Sequence, residues 1–159
     1  MPLEGYGGNG AAGAKGDKGD TGPQGPTPVT VRIPGSLTTS SGTQTILSSV
    51  GRLAAAKTIP ANTIQITFGT GYSASNSSNW LLTPGYMTPG NPGSFTAIGS
   101  GRRNDVAGGA IVARHTETYS HPEVTVPQGA VMAATMTPTN FPSPNAGYAD
   151  TVIEYFQLP

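Results

Sequence analysis

Residues 7–27 read GGNGAAGAKGDKGDTGPQGPT and place glycine at Gly7, Gly10, Gly13, Gly16, Gly19, Gly22 and Gly25. These are seven Gly-X-Y triplets without a break in phase, and Pro28 ends the register. When three polyproline-II chains wind about a common axis, every third residue of each chain faces that axis, and only glycine fits there. The pattern therefore predicts three chains as well as an extended shape. Pro23 and Pro26 occupy X positions, where the pyrrolidine ring pre-sets the required φ. Lys15-Gly16-Asp17 and Lys18-Gly19-Asp20 repeat a unit suited to exposed, salt-screened Lys–Asp pairing between neighbouring strands. A flexible linker accounts for Gly7-Gly8-Asn9-Gly10 taken alone, but not for seven glycines in phase. At ~3.1 Å per residue the run spans roughly 65 Å. So short a triple helix needs the following domain to hold three chains in register.

Working outward, residues 28–159 suit one domain of ordinary size, a β-rich head on the 7–27 stalk. The chain holds 23 glycines and 15 prolines, 10% charged residues and a formal net charge of zero. Short apolar β-branched runs separate this composition from that of a disordered chain. Zero net charge supplies no general pull toward nucleic acid or an anionic membrane, so no nucleic-acid partner is expected. No run approaches the ~18 apolar residues of a membrane span, so no membrane insertion is expected. There is no cysteine, hence no disulfide and no thiolate metal site. Met1 to Gly8 carry no basic or apolar signal-peptide pattern.

The head predicts short strands. Val29–Ile33 alternates apolar and polar residues between Pro28 and Pro34. Thr43–Ser48, Ile64–Phe68, Ile111–Tyr119, Glu123–Val126, Val131–Met136 and Thr151–Phe156 are further strand candidates. Arg52–Lys57, with three alanines, is an alternative helical turn limited by Pro60. About seven strands separated by Gly, Pro, Ser and Asn turns fit an all-β head: a β-sandwich, a jelly roll or a small barrel.

Residues 69–109 differ from the rest. Pro84-Gly85, Pro89-Gly90 and Pro92-Gly93 read as turns, and beyond a short strand at Asn79–Leu82 the segment reads as long surface loops. Tyr72, Tyr86, Arg102 and Arg103 are the candidate receptor-facing residues, since Tyr, Ser, Gly and Asn on a rigid scaffold form a recurrent recognition surface. Trp80 and Phe95 read instead as filling the core or a trimer seam. The Arg102-Arg103 pair has the chemistry to grip an acidic sugar or phosphate, but such a pair in a Gly-rich segment is more often a solvated turn.

No constellation for catalysis emerges, and no enzymatic activity, cofactor or metal is expected. There is no Gly-x-Ser-x-Gly elbow, P-loop or dinucleotide fingerprint. Asp105, Glu117, Glu123, Asp150 and Glu154 are the head's carboxylates, and no spacing marks a hydrolytic pair among them. His115 and Glu117 share one face of a strand, an arrangement that three-fold repetition could turn into a metal site and that a polar strand face explains equally well.

The Gly-Asp-Lys-Gly-Asp-Thr-Gly-Pro-Gln-Gly run at 16–25, without cysteine, resembles the collagen-like segments of bacteriophage tail-fibre and minor tail proteins. Ile59-Pro60-Ala61-Asn62-Thr63 leading into a strand is similar in style to small β-domains of virion fibre and tail-tip proteins. The resemblance implies a homotrimeric virion component assembled in the host cytoplasm. Residues 1–6 would be the attachment segment toward other virion proteins, and the head would face outward to a host-surface glycan or protein. A capsid decoration without a receptor and a bacterial surface collagen-like protein are the alternatives. Animal proteins with collagen stalks and trimeric jelly-roll heads share the architecture but often carry cysteines.

Overall fold

The structure is a computed structural model that describes residues 25–33, 42–73, 78–90, 93–106, 111–140, 146–148 and 151–158. Its regular structure is entirely β, with no helix among the described residues. The strands are β1 (Thr27–Ile33), β2 (Gln44–Arg52), β3 (Lys57–Ile59), β4 (Gln65–Phe68), β5 (Gly71–Ser73), β6 (Ser78–Met87) and β7 (Phe95–Ala97). They continue as β8 (Arg102–Val106), β9 (Ile111–Val112), β10 (His115–Thr118), β11 (Val124–Val126), β12 (Val131–Asn140), β13 (Ala146–Tyr148) and β14 (Thr151–Leu158). Of residues 7–27, expected to form a stalk, Gly25, Pro26 and Thr27 are described, Thr27 as the first residue of β1. Gly25 is exposed, with no atom within 4 Å of where a Cβ would stand. Gly7, Gly10, Gly13, Gly16, Gly19 and Gly22 lie outside the described residues, as does the 1–6 segment.

Two antiparallel sheets carry the head. One has the order β1-β14-β4-β10; the other runs β2-β12-β6, with β7 and β8 both pairing β6. The small sheet β13-β5-β9 repeats the order β14-β4-β10. Its register matches as well: Tyr148 pairs Gly71 and Val152 pairs Thr67, four residues further along each strand. Val112 pairs Gly71 and His115 pairs Phe68, three residues apart on each. The small sheet therefore continues the first without a slip, past an interruption next to Gly69. A fourth, two-stranded sheet joins β11 to β3.

Period-two alternation builds the core. Val29, Val31 and Ile33 of β1, Ile153 and Tyr155 of β14, and Ile66 and Phe68 of β4 turn inward and are buried. They meet Trp80, Leu82 and Tyr86 of β6 and Met132, Ala134 and Met136 of β12 in one cluster. A one-residue slip of either sheet would turn these side chains to water, so the apolar alternation itself fixes the register.

All seven stretches read from the sequence as strands are strands, with shifted ends and one break, between β9 and β10. The 69–109 segment is corrected: it holds β5, β6, β7 and β8 rather than long loops. Pro84-Gly85 is no turn but lies inside the ten-residue β6. Proline is tolerated there because β7 pairs residues 85–87 and β8 pairs 78–82, leaving Pro84 at the gap between them, with its carbonyl accepting from Ile98 N–H at 2.8 Å. Pro89-Gly90 does lie in a connection, closed by Thr88 and Ser94. The 52–57 stretch is not helical; after β2 it bends, stitched by Leu53 N–H to the Ala130 carbonyl and Gly129 N–H to the Leu53 carbonyl, each 2.8 Å.

Candidate ligand-binding cleft

The outer face of the four-stranded sheet carries a cleft of about 340 Å³, lined by Lys57, Thr58, Pro60, Thr63, Gln65 and residues 154–157. Its floor follows from strand alternation. Ile153 and Tyr155 turn into the core and Glu154 turns outward, pairing across the ladder with Gln65. Beyond a register shift in the β1–β14 ladder, Phe156 is partly buried, packing against the core cluster while it lines the cleft. Lys57 enters from β3 and holds its ammonium 5.3 Å from the Phe156 ring centroid, a cation–π contact. Gln65 is oriented by Thr118, whose Oγ1 accepts from the Gln65 amide at 2.9 Å.

The remaining wall, residues 60–64, is set by His121. This imidazole is buried, and its Nε2 accepts from Thr63 N–H at 3.1 Å and Ile64 N–H at 3.3 Å. Two donors at Nε2 leave the proton on Nδ1, 2.7 Å from the Pro122 carbonyl. Asn62 completes the clamp: its side-chain oxygen accepts from His121 N–H at 3.0 Å while its own N–H reaches the His121 carbonyl at 3.2 Å. Asn62 has φ 57°, a left-handed conformation that asparagine tolerates better than most residues. The Thr63 hydroxyl closes the turn on the Pro60 carbonyl at 2.7 Å.

The lining offers one aromatic face, one cation, one carboxylate, two amides and two threonine hydroxyls. That set suits hydrogen bonding to a polyhydroxylated ring stacked on apolar carbon. Glu154 is the single carboxylate in the lining, so the paired acids of sugar hydrolysis are not assembled there.

The residues singled out from the sequence do not converge on this cleft. Tyr86, expected in a loop, is buried in the core on β6 because its position shares the inward parity of Trp80 and Leu82. Tyr72 lies on β5, paired with Ile111 and Gly147 at the sheet end away from Thr27. Arg102 grips Glu117 with Nε at 2.5 Å and a second nitrogen at 3.2 Å, and also contacts the Arg103 carbonyl. Arg103 pairs with Asp105 at 2.9 Å. Both guanidinium groups therefore already hold carboxylates, and Arg102–Glu117 ties β8 of one sheet to β10 of the other. His115 is exposed and stacks on Phe68 with ring centroids 4.9 Å apart, while Glu117 turns to Arg102. Among the described residues no three His, Asp or Glu side chains gather as a metal site. Trp80 fills the core, whereas Phe95 lies half-buried against Gly85, where it would press any Cβ at 2.5 Å.

Lys57, Gln65, Glu154 and Phe156 escaped the sequence reading. The outward parity of Glu154 on the last strand was the one signal available. No family model matches the chain, and comparison with curated proteins finds no match.

Proposed function

We propose that this protein is a trimeric virion component of the tail-fibre or minor-tail type, a collagen-like stalk carrying jelly-roll heads that contribute to attachment at a host surface. The observation that carries the reading is the in-phase Gly-X-Y run ending at Gly25, two residues before β1 of an all-β head begins. A triple helix presents three heads at one end of a narrow shaft, and three weak sites acting together gain avidity without any new contact. The strand orders β1-β14-β4-β10 and β2-β12-β6-β7 favour the two-sheet jelly roll, an architecture used by capsid and lectin domains.

The cleft around Phe156 and Lys57 is the attachment site in this reading, and its ligand class is an uncharged saccharide. One cation and one carboxylate leave the lining without net charge, and the aromatic ring gives a sugar its apolar platform.

Sedimentation of the full chain tests the assembly: a particle of three times 16.1 kDa is expected, and a monomer overturns the fibre reading. Binding of the full chain to immobilised bacterial envelope polysaccharides tests the site. Retention by the wild type and its loss in Phe156→Ala at unchanged mass support it. Equal retention by both moves attachment elsewhere, and no retention of either overturns saccharide recognition.

A further inference from the structure

The two outer faces of the head differ sharply in character. That of the four-stranded sheet carries Arg32, Glu154 and the cleft. On the five-stranded sheet, the inward parity of Trp80, Leu82 and Tyr86 and of Met132, Ala134 and Met136 turns the intervening residues outward. The ladder aligns these in rows: Leu47 beside Ala133 beside Gly85, and Thr45 beside Thr135 beside Thr83. Neither row contains a charge; Arg52 stands at one end of the face, and the paired Arg103 and Asp105 stand at one edge of the other. Leu47 is 54% exposed and Thr45 on the same strand is exposed as well, whereas Ala133 and Thr135 are already buried and Phe95 covers Gly85.

We propose that this face is the seam on which three copies of the head close around the stalk axis, with Leu47 and Thr45 of β2 buried between copies. The inference rests on the three-chain reading of the Gly-X-Y run and names the surface which that reading leaves open. The occupant follows from where the stalk ends. Glycine every third residue requires three chains, and the run enters β1 directly, so two further heads are held within a few residues of the first. Of the two sheet faces, this one carries its charges, Arg52, Arg103 and Asp105, only at its ends, so its centre brings no like charges together when identical surfaces meet near a three-fold axis. The arrangement also leaves the cleft, on the opposite sheet, open to solvent.

Charge insertion in the full chain tests the seam. Leu47→Asp with Thr45→Asp is expected to weaken self-association at least tenfold, about 1.4 kcal/mol, and to lower the melting temperature of the stalk. Arg32→Glu, on the other face, is expected to leave both unchanged. Because the double variant risks misfolding, single-cysteine cross-linking provides an independent reading in a chain with no native cysteine. Leu47→Cys is expected to give covalent dimers with a short bis-maleimide, and Arg32→Cys to give none. A wild-type trimer with no cross-linking at position 47 and undiminished association of the charged variant overturns the seam while sparing the three-chain stalk. A monomeric wild type overturns the stalk reading itself.

Discussion

The Tyr155 hydroxyl, on the last strand of one sheet, accepts a hydrogen bond from the Gly85 N–H of the other sheet at 3.2 Å. It donates in turn to the Ala133 carbonyl, and Ala133 is the residue directly opposite Gly85 in the β6–β12 pair. One phenol thus satisfies backbone groups of two strands in the opposing sheet, pinning the sheets together at the centre of the core. Tyr155→Phe keeps the ring but strands a buried donor and a buried acceptor. A loss of about 1–3 kcal/mol is expected, read as a lower denaturant midpoint at unchanged slope. An unchanged midpoint shows that water or ladder bonds take the phenol's place.

Stability should also fall in alkali. Burial holds the Tyr155 phenol far above its ordinary range, only partly offset by the Gly85 N–H, and burial likewise raises Tyr119, partly offset by the Gly101 N–H. A raised phenol pKa means that the folded state keeps a proton which the unfolded chain releases near pH ~10. The contribution is therefore fully present below pH ~10 and is lost as pH climbs toward the folded-state value. Stability measured across this range should decline, and Tyr155→Phe should flatten the decline. An identical slope in the variant places the effect elsewhere.

His121 is expected to act on the cleft through the 60–64 turn. His121→Phe preserves the ring that stacks on Tyr119 at 5.8 Å but removes the acceptor shared by Thr63 and Ile64 N–H. Unfolding should become easier by about 1–3 kcal/mol, and hydrogen exchange at Thr63 and Ile64 should accelerate more than at β12. Uniform acceleration over the whole head assigns His121 to global stability alone.

Gly85 lies under Phe95 and close to the Thr96 carbonyl, so a Cβ has no room. Gly85→Ala should destabilise by about 1–3 kcal/mol, an overpacking cost. Phe95→Ala in the same chain should recover only part of it, because the Thr96 carbonyl is backbone and stays. Full recovery would place the whole clash on the ring.

In the stalk, Gly16→Val is expected to abolish or lower the triple-helical melting transition, seen by circular dichroism, while the β signal of the head persists. An unchanged stalk transition counts against a triple helix.

The sequence by itself determined the parts whose signal is local. Glycine at every third position from Gly7 to Gly25 is such a local signal, and the proposed three-chain stalk rests on it because only the absence of a side chain fits a triple-helix axis. Alternation in Val29–Ile33, Ile64–Phe68 and Thr151–Phe156 marked strands because the pleat sends successive residues to opposite faces. Local chemistry misled at Pro84-Gly85, which has turn composition yet sits mid-strand because its second partner strand is split there. Only the tertiary structure decided which sheets face each other, that Tyr86 belongs to the core, that Arg102 holds Glu117, and that Lys57 reaches Phe156. Those pairings join residues far apart in the chain, and their energies come from burial and long-range register, which no window of sequence contains.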